Sequence, residues 1–195
     1  MTKYKFSIKN MVCPRCIKVV RDELTAAGYT CEEVTLGEAV LCDQKQPDIN
    51  HIRTVLENVG FELLEDRKER LVEQVKTLVI EAVQKFNVPA HQNFSDYLAE
   101  KTGKDYQYIS SIFSATENIT VEKYIILQKI EKVKELLVYN ELTLSEMAWK
   151  LGYSSVAHLS NQFRQVTGVS PSKYKTEKMN LRKPLDTVGI PKDEQ

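Results

Sequence analysis

The chain has 195 residues, enough for two small domains, and its 42% hydrophobic and 28% charged residues are typical of a soluble globular protein. No apolar segment is long enough to span a bilayer, and the first residues do not form a signal peptide. We therefore expect a cytoplasmic protein with no membrane partner. In that compartment its four cysteines are expected to be thiols, metal ligands or redox switches rather than structural disulfides.

The net charge of zero hides an uneven distribution of charge. Residues 1–66 carry eight basic and eleven acidic side chains, whereas the remaining residues carry 19 basic and 16 acidic ones. Residues 143–183 hold seven of those basic side chains and only two of the acidic ones. This asymmetry predicts two domains, of which the second suits a polyanionic partner.

Residues 1–66 predict an α+β domain with the element order β-α-β-β-α-β. Residues 3–9 alternate apolar and polar side chains, and residues 61–64 form a short apolar segment, as strands do. Residues 30–36 and 38–43 predict a hairpin around Gly37, and two segments with helical spacing end at glycines. The order is that of a split βαβ, or ferredoxin-like, fold.

A Met-x-Cys-x-x-Cys motif, with Met11, Cys13 and Cys16, lies at the first strand–helix junction. Two thiolates three positions apart at a helix N-terminus can converge on one soft ion, and the helix dipole lowers their pKa values. With the element order, the motif resembles the heavy-metal-associated domain of copper chaperones and metal-transporting ATPases. The resemblance implies that Cys13 and Cys16 bind Cu(I), Zn(II) or a Hg(II)-type ion, and that Met11 anchors the loop. The sequence departs from this family at Asn10, where glycine is usual.

Other interpretations of the cysteines stay open. The Cys-Pro-x-Cys spacing also occurs in thioredoxin-like redox proteins, so Cys13 and Cys16 could form a thiol switch or an unliganded pair. A tight turn at Leu36 and Gly37 would place Cys31 opposite Cys42. These two would then be small apolar side chains, a disulfide or a second site, separate from the first motif.

Residues 67–92 predict a connecting helix, over residues 67–86, and a loop. One face of the helix is apolar, and Val88 with Pro89 is expected to end it. Three roles are open for this face: it packs on the C-terminal helices, it transmits a signal between the domains, or it forms a homodimer. Its members are Leu71, Val75, Leu78, Val79, Ala82 and Phe86.

Residues 93–178 predict an all-α domain in which a short helix, a glycine turn and a second helix occur twice, at 94–113 and 143–163. A long helix at 120–138 joins the two units. This is the helix-turn-helix plan, whose second helix enters the major groove of double-stranded DNA. Thr143 and Glu146 predict a capping box, and Ser154 is expected to cap the next helix. Trp149 is expected to pack between helices, and residues 179–195 form a tail with no assigned fold.

The segment from Leu142 to Tyr174 closely resembles the signature of AraC/XylS-family regulators, and the first unit resembles that family's earlier half. With Leu159, Phe163 and Val166 inward, the helical step turns four residues outward. These are Ala157, Ser160, Asn161 and Arg164. The resemblance places the base-reading positions at Val156, Ala157, Ser160 and Asn161 in the second unit, and at Gln107, Ser110 and Ser111 in the first.

Asn161 stands where this family often has arginine, and asparagine can make paired contacts with adenine. Arg164, Lys173 and Lys175 are expected to hold phosphates. The helix with Gln107 has no lysine or arginine, so we expect the second unit to supply more of the DNA affinity. His158 either touches DNA or faces solvent.

The sequence thus predicts a DNA-binding transcription regulator that responds to a soft metal ion at Cys13 and Cys16. Two alternatives remain: a regulator that responds to thiol oxidation, and a metal-delivery protein whose helical domain binds a protein partner. No paired carboxylates, Ser/His/Asp set or phosphate-binding loop appears in the sequence, so we do not expect an enzyme.

Overall fold

The computed structural model describes residues 2–87, 94–176 and 183–189, and the chain divides into two units, Met1–Thr77 and Leu78–Gln195. The expected helix end at Val88 and Pro89, and most of the predicted tail, lie outside the described residues. No helix in the described ranges combines the length and the apolar character needed to cross a membrane.

Unit 1 contains a four-stranded sheet with two helices, in the predicted element order. The elements are β1 (Thr2–Lys9), α1 (Pro14–Ala26), β2 (Cys31–Thr35), β3 (Glu38–Asp43), α2 (Ile49–Glu57) and β4 (Glu62–Leu64). The strand order across the sheet is β2-β3-β1-β4, and all neighbouring strands are antiparallel. β1 is therefore one of the two central strands, and the β1–α1 junction lies at the end of a central strand.

The core of unit 1 lies between the sheet and the two helices. Ile8 of β1, Leu41 of β3 and Ile52 of α2 are fully buried in it, as is Met11 of the loop after β1. The helix α2 begins where predicted because the side chain of Asp48 accepts hydrogen bonds from two backbone N–H groups of its first turn. The alternation in β1 and the helical spacing in α1 and α2 are thus satisfied by one shared core.

The predicted pairing of Cys31 with Cys42 is wrong. From Thr35 to Glu33 the hairpin keeps the expected register, but a shift between Cys31 and Glu33 pairs Cys31 with Leu41. This β-bulge places an extra residue in β2 and displaces Cys31 by one position. Cys42 pairs with Lys3 of β1 instead. All four cysteines are free thiols.

The helix α3 (Arg67–Gln84) runs from unit 1 into unit 2 without a break. Its buried surface is wider than the predicted stripe, since Val72, Ile80 and Val83 are also buried. The sequence pattern missed this because charged residues interrupt it. Two of them, Glu73 and Lys76, are buried and lie 3.6 Å apart as an ion pair.

Unit 2 contains six further described helices after α3. They are α4 (Phe94–Thr102), α5 (Tyr106–Glu117), α6 (Val121–Tyr139), α7 (Leu144–Lys150), α8 (Val156–Thr167) and α9 (Pro171–Thr176). The long helix α6 is the central one. It packs on α5, α8 and α9, and its fully buried residues include Tyr124, Ile130 and Val133.

Two local predictions for unit 2 need correction. Ser155, not Ser154, caps α8, because the Ser155 side chain accepts a hydrogen bond from the N–H of His158. Trp149 does not pack between helices, since it is 78% exposed. The sequence assigns the tail no fold, and in its described part Val188 is buried and the N–H of Lys183 donates to a carboxylate oxygen of Glu131 on α6 (3.0 Å).

Candidate nucleic-acid interface and thiol site

The second helix-turn-helix unit consists of α7, a five-residue turn and α8. Thr143 and Glu146 form the predicted capping box at the start of α7. Gly152 in the turn has φ 70°, a left-handed conformation that glycine adopts without a steric penalty. The side chain of Ser155 then caps the start of α8, so short-range sequence signals determine where both helices of this unit begin.

The buried face of α8 leaves the predicted reading positions on its other side. Leu159 and Phe163 are fully buried, and the ring of Phe163 packs edge-on against Tyr174 of α9, with 5.5 Å between ring centroids. Ala157, Asn161 and Arg164 are exposed, whereas Val156 and Ser160 are half-buried. At the exposed predicted positions, α8 therefore presents the amide of Asn161 and the guanidinium of Arg164, which can donate hydrogen bonds to DNA.

Basic side chains continue from α8 onto the short helix α9. Lys173 and Lys175 are exposed, and the N–H of Lys173 is held by the hydroxyl of Ser170 before the helix (3.2 Å). Because α9 packs on α8 through Tyr174, these lysines belong to the same rigid unit as Arg164. Such an arrangement suits contacts with the phosphates that flank a major groove.

The first helix-turn-helix unit repeats the plan with less positive charge. Gly103 in its turn also has a left-handed backbone, with φ 64°, and the side chain of Asp105 caps α5. Gln107 and Ser111 are exposed and Ser110 is half-buried. The carboxylate of Asp105 lies beside these positions, so this helix gains little from electrostatic attraction to DNA.

Sequence reasoning left out one exposed aromatic residue of the first unit, and it left the position of a histidine of the second unit open. Tyr108, next to Gln107, is 50% exposed on α5. Its outward position follows from the burial of Ile109 and Ile112, a signal that was available in the sequence. The Nδ1 atom of His158 is 3.1 Å from the hydroxyl of Ser154, which fixes the imidazole ring at the start of α8.

The thiols of Cys13 and Cys16 converge at the start of α1. Their Sγ atoms are 3.4 Å apart. Cys13 is the residue before the helix, Pro14 begins it, and the N–H of Cys16 donates to the carbonyl of Cys13 (2.9 Å). The motif therefore folds into one helical turn that brings both sulfurs to the same side.

The two thiols differ in acidity. Burial alone would raise the pKa of Cys13, but hydrogen bonds from the N–H and the thiol of Cys16 outweigh it, and the pKa of Cys13 is lowered. Burial raises the pKa of Cys16, and the neighbouring Cys13 sulfur adds to this effect. Cys13 is thus the thiol that ionises first.

The donor set fits a soft ion that accepts two sulfur ligands. No cluster of three or more histidine, cysteine, aspartate or glutamate side chains suited to a metal occurs in the described parts of the chain. Tetrahedral zinc would need further ligands, whereas Cu(I) or a Hg(II)-type ion can be held by two thiolates. Met11 is fully buried in the core, which suits the predicted role as an anchor rather than a ligand.

The loop that carries the thiols is tied to the helix α3. Asn10 has φ 72°, and asparagine tolerates this left-handed conformation better than most residues, so it can stand where glycine is usual. The N–H of Asn10 donates to a carboxylate oxygen of the buried Glu73 on α3 (3.1 Å). Two residues beyond the other end of this helix, the ring of Phe86 lies under the ammonium groups of Lys132 and Lys150, which are 5.5 and 5.1 Å from its centroid.

Comparison with known proteins bears on the C-terminal part. Residues 98–177 match the family model described as a helix-turn-helix domain. The chain is 29% identical over 85 residues to the uncharacterized HTH-type transcriptional regulator YdiP of Escherichia coli K12, and this match covers 44% of the chain and 28% of YdiP. It is 28% identical over 83 residues to the Msm operon regulatory protein of Streptococcus mutans, and that match covers 43% of the chain and 30% of the relative.

Among solved structures, the chain is similar to the C-terminal domain of AraT, a response regulator from Geobacillus stearothermophilus. The identity is 24% and the TM-score 0.49, over 58% of this chain and 90% of the other. The chain spans less than a third of the length of YdiP and of the Msm operon regulatory protein. These two relatives are named as regulators, in agreement with the prediction that the chain is not an enzyme. The C-terminal part of the chain is a helix-turn-helix DNA-binding domain of AraC type.

Proposed function

We propose that the chain is a transcription regulator whose DNA binding responds to a soft metal ion held by Cys13 and Cys16. The observation that carries the DNA half is the exposed row Ala157, Asn161 and Arg164 on α8, within a domain that matches a helix-turn-helix family. One curated relative is named as a transcriptional regulator and the other as an operon regulatory protein, which supports a regulatory role for this chain.

The metal half of the proposal depends on unit 1. We infer that this unit is a ferredoxin-like domain of the heavy-metal-associated kind, supported by its strand order β2-β3-β1-β4 and by the motif at the β1–α1 junction. Cys13 and Cys16 would hold the ion, with Cu(I) favoured because two sulfurs suffice for it. When bound, the ion would crosslink the loop before α1 to the first turn of that helix.

The route from the thiols to DNA is proposed to follow α3. The loop before Cys13 is held by Glu73 of α3 through the N–H of Asn10. The same helix ends near Phe86, whose ring contacts Lys132 on α6 and Lys150 on α7. We propose that a change in the thiol loop biases α3 and, through Phe86 two residues beyond its end, the lysines of α6 and α7, as coupling between two sites requires.

The test is the DNA affinity of the full chain with and without Cu(I), for the native protein and for the Cys13→Ser/Cys16→Ser variant. We expect the metal to change the affinity of the native chain by at least about fivefold and to leave the variant unchanged. Cys31→Ser/Cys42→Ser is the matched control, since it removes two thiols that the structure keeps apart from the site. An equal response of native and Cys13→Ser/Cys16→Ser chains would refute the metal half of the proposal.

A thiol-redox regulator is the second candidate, favoured by one observation. The Sγ atoms of Cys13 and Cys16 lie only 3.4 Å apart, and the pKa of Cys13 is lowered, as suits attack on an oxidised partner. Peroxide treatment in the presence of a metal chelator separates the two candidates. A change in DNA affinity that needs oxidation but no metal supports the redox regulator, and the reverse supports the metal sensor.

Two further predictions remain open to direct measurement. A homodimer through α3 would double the mass observed in light scattering. A metal-delivery protein would bind metal but would bind DNA no more tightly at low than at high salt, because counterion release from DNA would be absent.

A further inference from the structure

Residues 183–189, which we call the strap, follow α9 in the chain and run back along α6. The N–H of Lys183 donates to a carboxylate oxygen of Glu131 on α6 (3.0 Å). Closer to the start of the same helix, the side-chain amide of Gln128 donates to the carbonyl of Leu185 (3.4 Å). Because the residue numbers rise along the strap and fall along α6, the strap lies antiparallel to this helix.

The strap is held by a turn of its own and by buried groups of α6. The N–H and the hydroxyl of Thr187 both donate to the carbonyl of Pro184 (3.1 and 3.0 Å), which closes the turn. Val188, the next residue, is only 3% exposed. On α6, Gln128 is fully buried and Glu131 is 6% exposed. Polar groups buried this deeply need hydrogen-bond partners, and the strap backbone supplies one to each of them.

The strap ends against the first helix-turn-helix unit. Gly189 has φ 97°, a left-handed conformation that glycine adopts without a steric penalty. A Cβ atom at this position would lie 2.9 Å from Cδ1 of Ile119, in the turn between α5 and α6, and 3.2 Å from the ring of Tyr124. Because the first distance is shorter than a van der Waals contact, only glycine lets the backbone approach these two side chains so closely.

Each predicted reading helix packs on one tyrosine that lies outside it. The ring of Phe113 on α5 is 5.5 Å, between centroids, from the ring of Tyr124 on α6. The ring of Phe163 on α8 is at the same distance from Tyr174 on α9. All four side chains are buried. The strap follows the helix that carries Tyr174 and ends against Tyr124, so it connects the supports of the two reading helices.

We propose that the strap is a clamp that fixes α5 relative to α8, so that both helices meet double-stranded DNA as one rigid body. The role in DNA binding rests on the proposed function, whereas the docking of the strap on α6 does not. Two linked binding elements gain affinity when their geometry already matches both sites, because less freedom is then lost on binding. The clamp therefore favours one spacing between the two DNA segments that the helices contact.

The first test measures hydrogen exchange of the strap amides in the full chain by mass spectrometry. Gly189→Ala adds a methyl group that collides with Ile119. Gly28→Ala is the matched control, because Gly28 has a similar φ of 92° and no atom beyond its chain neighbours lies within 4 Å of the added methyl group. We expect exchange in residues 183–189 to be at least about tenfold faster in Gly189→Ala than in the native chain, and unchanged in Gly28→Ala. Exchange in the native chain as fast as in a free peptide of the same sequence overturns the docking.

The second test measures affinity for DNA that the native chain has selected, with and without one base pair inserted between the two segments that the chain protects. The insertion moves the segments apart by about 3.4 Å and rotates one relative to the other by about 36°. We expect it to weaken binding by the native chain and by Gly28→Ala at least about tenfold, but binding by Gly189→Ala less than about threefold.

This second readout separates a clamp from a strap that only stabilises the fold. Such a strap would change the free energy of unfolding, but the insertion would then weaken Gly189→Ala and the native chain equally, and that result overturns the clamp. Val188→Asp, which places a carboxylate at the buried position, replaces Gly189→Ala if that variant does not fold. Failure of the native chain to bind any DNA overturns the clamp together with the proposed function, while hydrogen exchange still decides whether the strap is docked.

Discussion

The Sγ atoms of Cys13 and Cys16 lie 3.4 Å apart, with Cys13 before the helix α1 and Cys16 in its first turn. Their pKa values move in opposite directions, lowered for Cys13 and raised for Cys16. We therefore expect iodoacetamide at pH 7.5 to alkylate Cys13 first, because a larger share of it is thiolate. Time-resolved mass spectrometry measures both rates. The two rates should become equal in urea, and equal rates in the folded chain would contradict this assignment of acidity.

Phe86 is predicted to couple the connecting helix to the reading unit. Its φ of 54° is rare for a bulky residue and costs on the order of 1 kcal/mol. Phe86→Gly removes the ring contacts with Lys132 and Lys150, but it also relieves that backbone strain. Because the two effects oppose each other, the fold should persist. We expect this variant to bind DNA but to have lost its metal response, as seen in titrations with and without Cu(I).

The control for this prediction is Phe86→Tyr, which keeps an aromatic ring and should keep the response. A full metal response in Phe86→Gly would mean that the signal does not pass through this residue.

Several features of the fold could be read from the sequence because short-range physics determines them. Thr143 and Glu146 form their capping box, and Pro171 begins α9, as side chains near a helix start dictate. The core face of α8 followed from the spacing of Leu159 and Phe163. In these places local preference and tertiary packing agree.

The errors arose where distant contacts decide the outcome. The bulge beside Cys31 could not be inferred from a hairpin pattern that assumes equal strand lengths. The burial of Glu73 depends on the loop at Asn10, which is 63 residues away in the chain. Trp149 looked like a core residue by its size, but the face of α7 that packs inward carries Met147 and Ala148 instead.

Lys129→Met is expected to stabilise the fold at pH 7. The folded state lowers the pKa of Lys129 to about 8, so below that pH the buried cation costs stability that a methionine does not. The variant also loses the cation–π contacts of Lys129 with the rings of Phe94 and Tyr153. After allowance for this loss, the gain in the free energy of unfolding should be about 1–2 kcal/mol. Urea unfolding of native and variant chains measures it.

The pH dependence gives an internal check on this prediction. Between pH 8 and 10.5 the unfolded chain keeps the Lys129 proton that the folded chain has lost, so native stability should rise relative to the variant. The advantage of Lys129→Met should therefore shrink across this range. A constant difference would show that burial of the charge is not its cause.

Thr143→Ala is expected to lower the free energy of unfolding by about 1 kcal/mol, because the capping box of α7 is lost. Ser145→Ala, an exposed position in the same turn, is the control and should have little effect.

Hydrogen bonds from the N–H and hydroxyl of Thr143 lower the pKa of Glu146. This stabilisation is present above about pH 4.5 and is lost as the pH falls through the lowered folded-state pKa of Glu146. A destabilisation that is the same at pH 7 and pH 3 would contradict the role of Glu146.

The central claim is that the exposed face of α8 reads DNA, and selection from random double-stranded DNA tests it most directly. Native chain, Asn161→Ala and Arg164→Ala should be compared at two salt concentrations. The native chain should enrich a defined sequence. Asn161→Ala should lose preference at one base pair, at a cost of about 1–3 kcal/mol there, while Arg164→Ala should weaken all sequences alike and reduce the salt dependence. If the native chain enriches no sequence, or if Asn161→Ala enriches the same sequence equally well, α8 is not the reader.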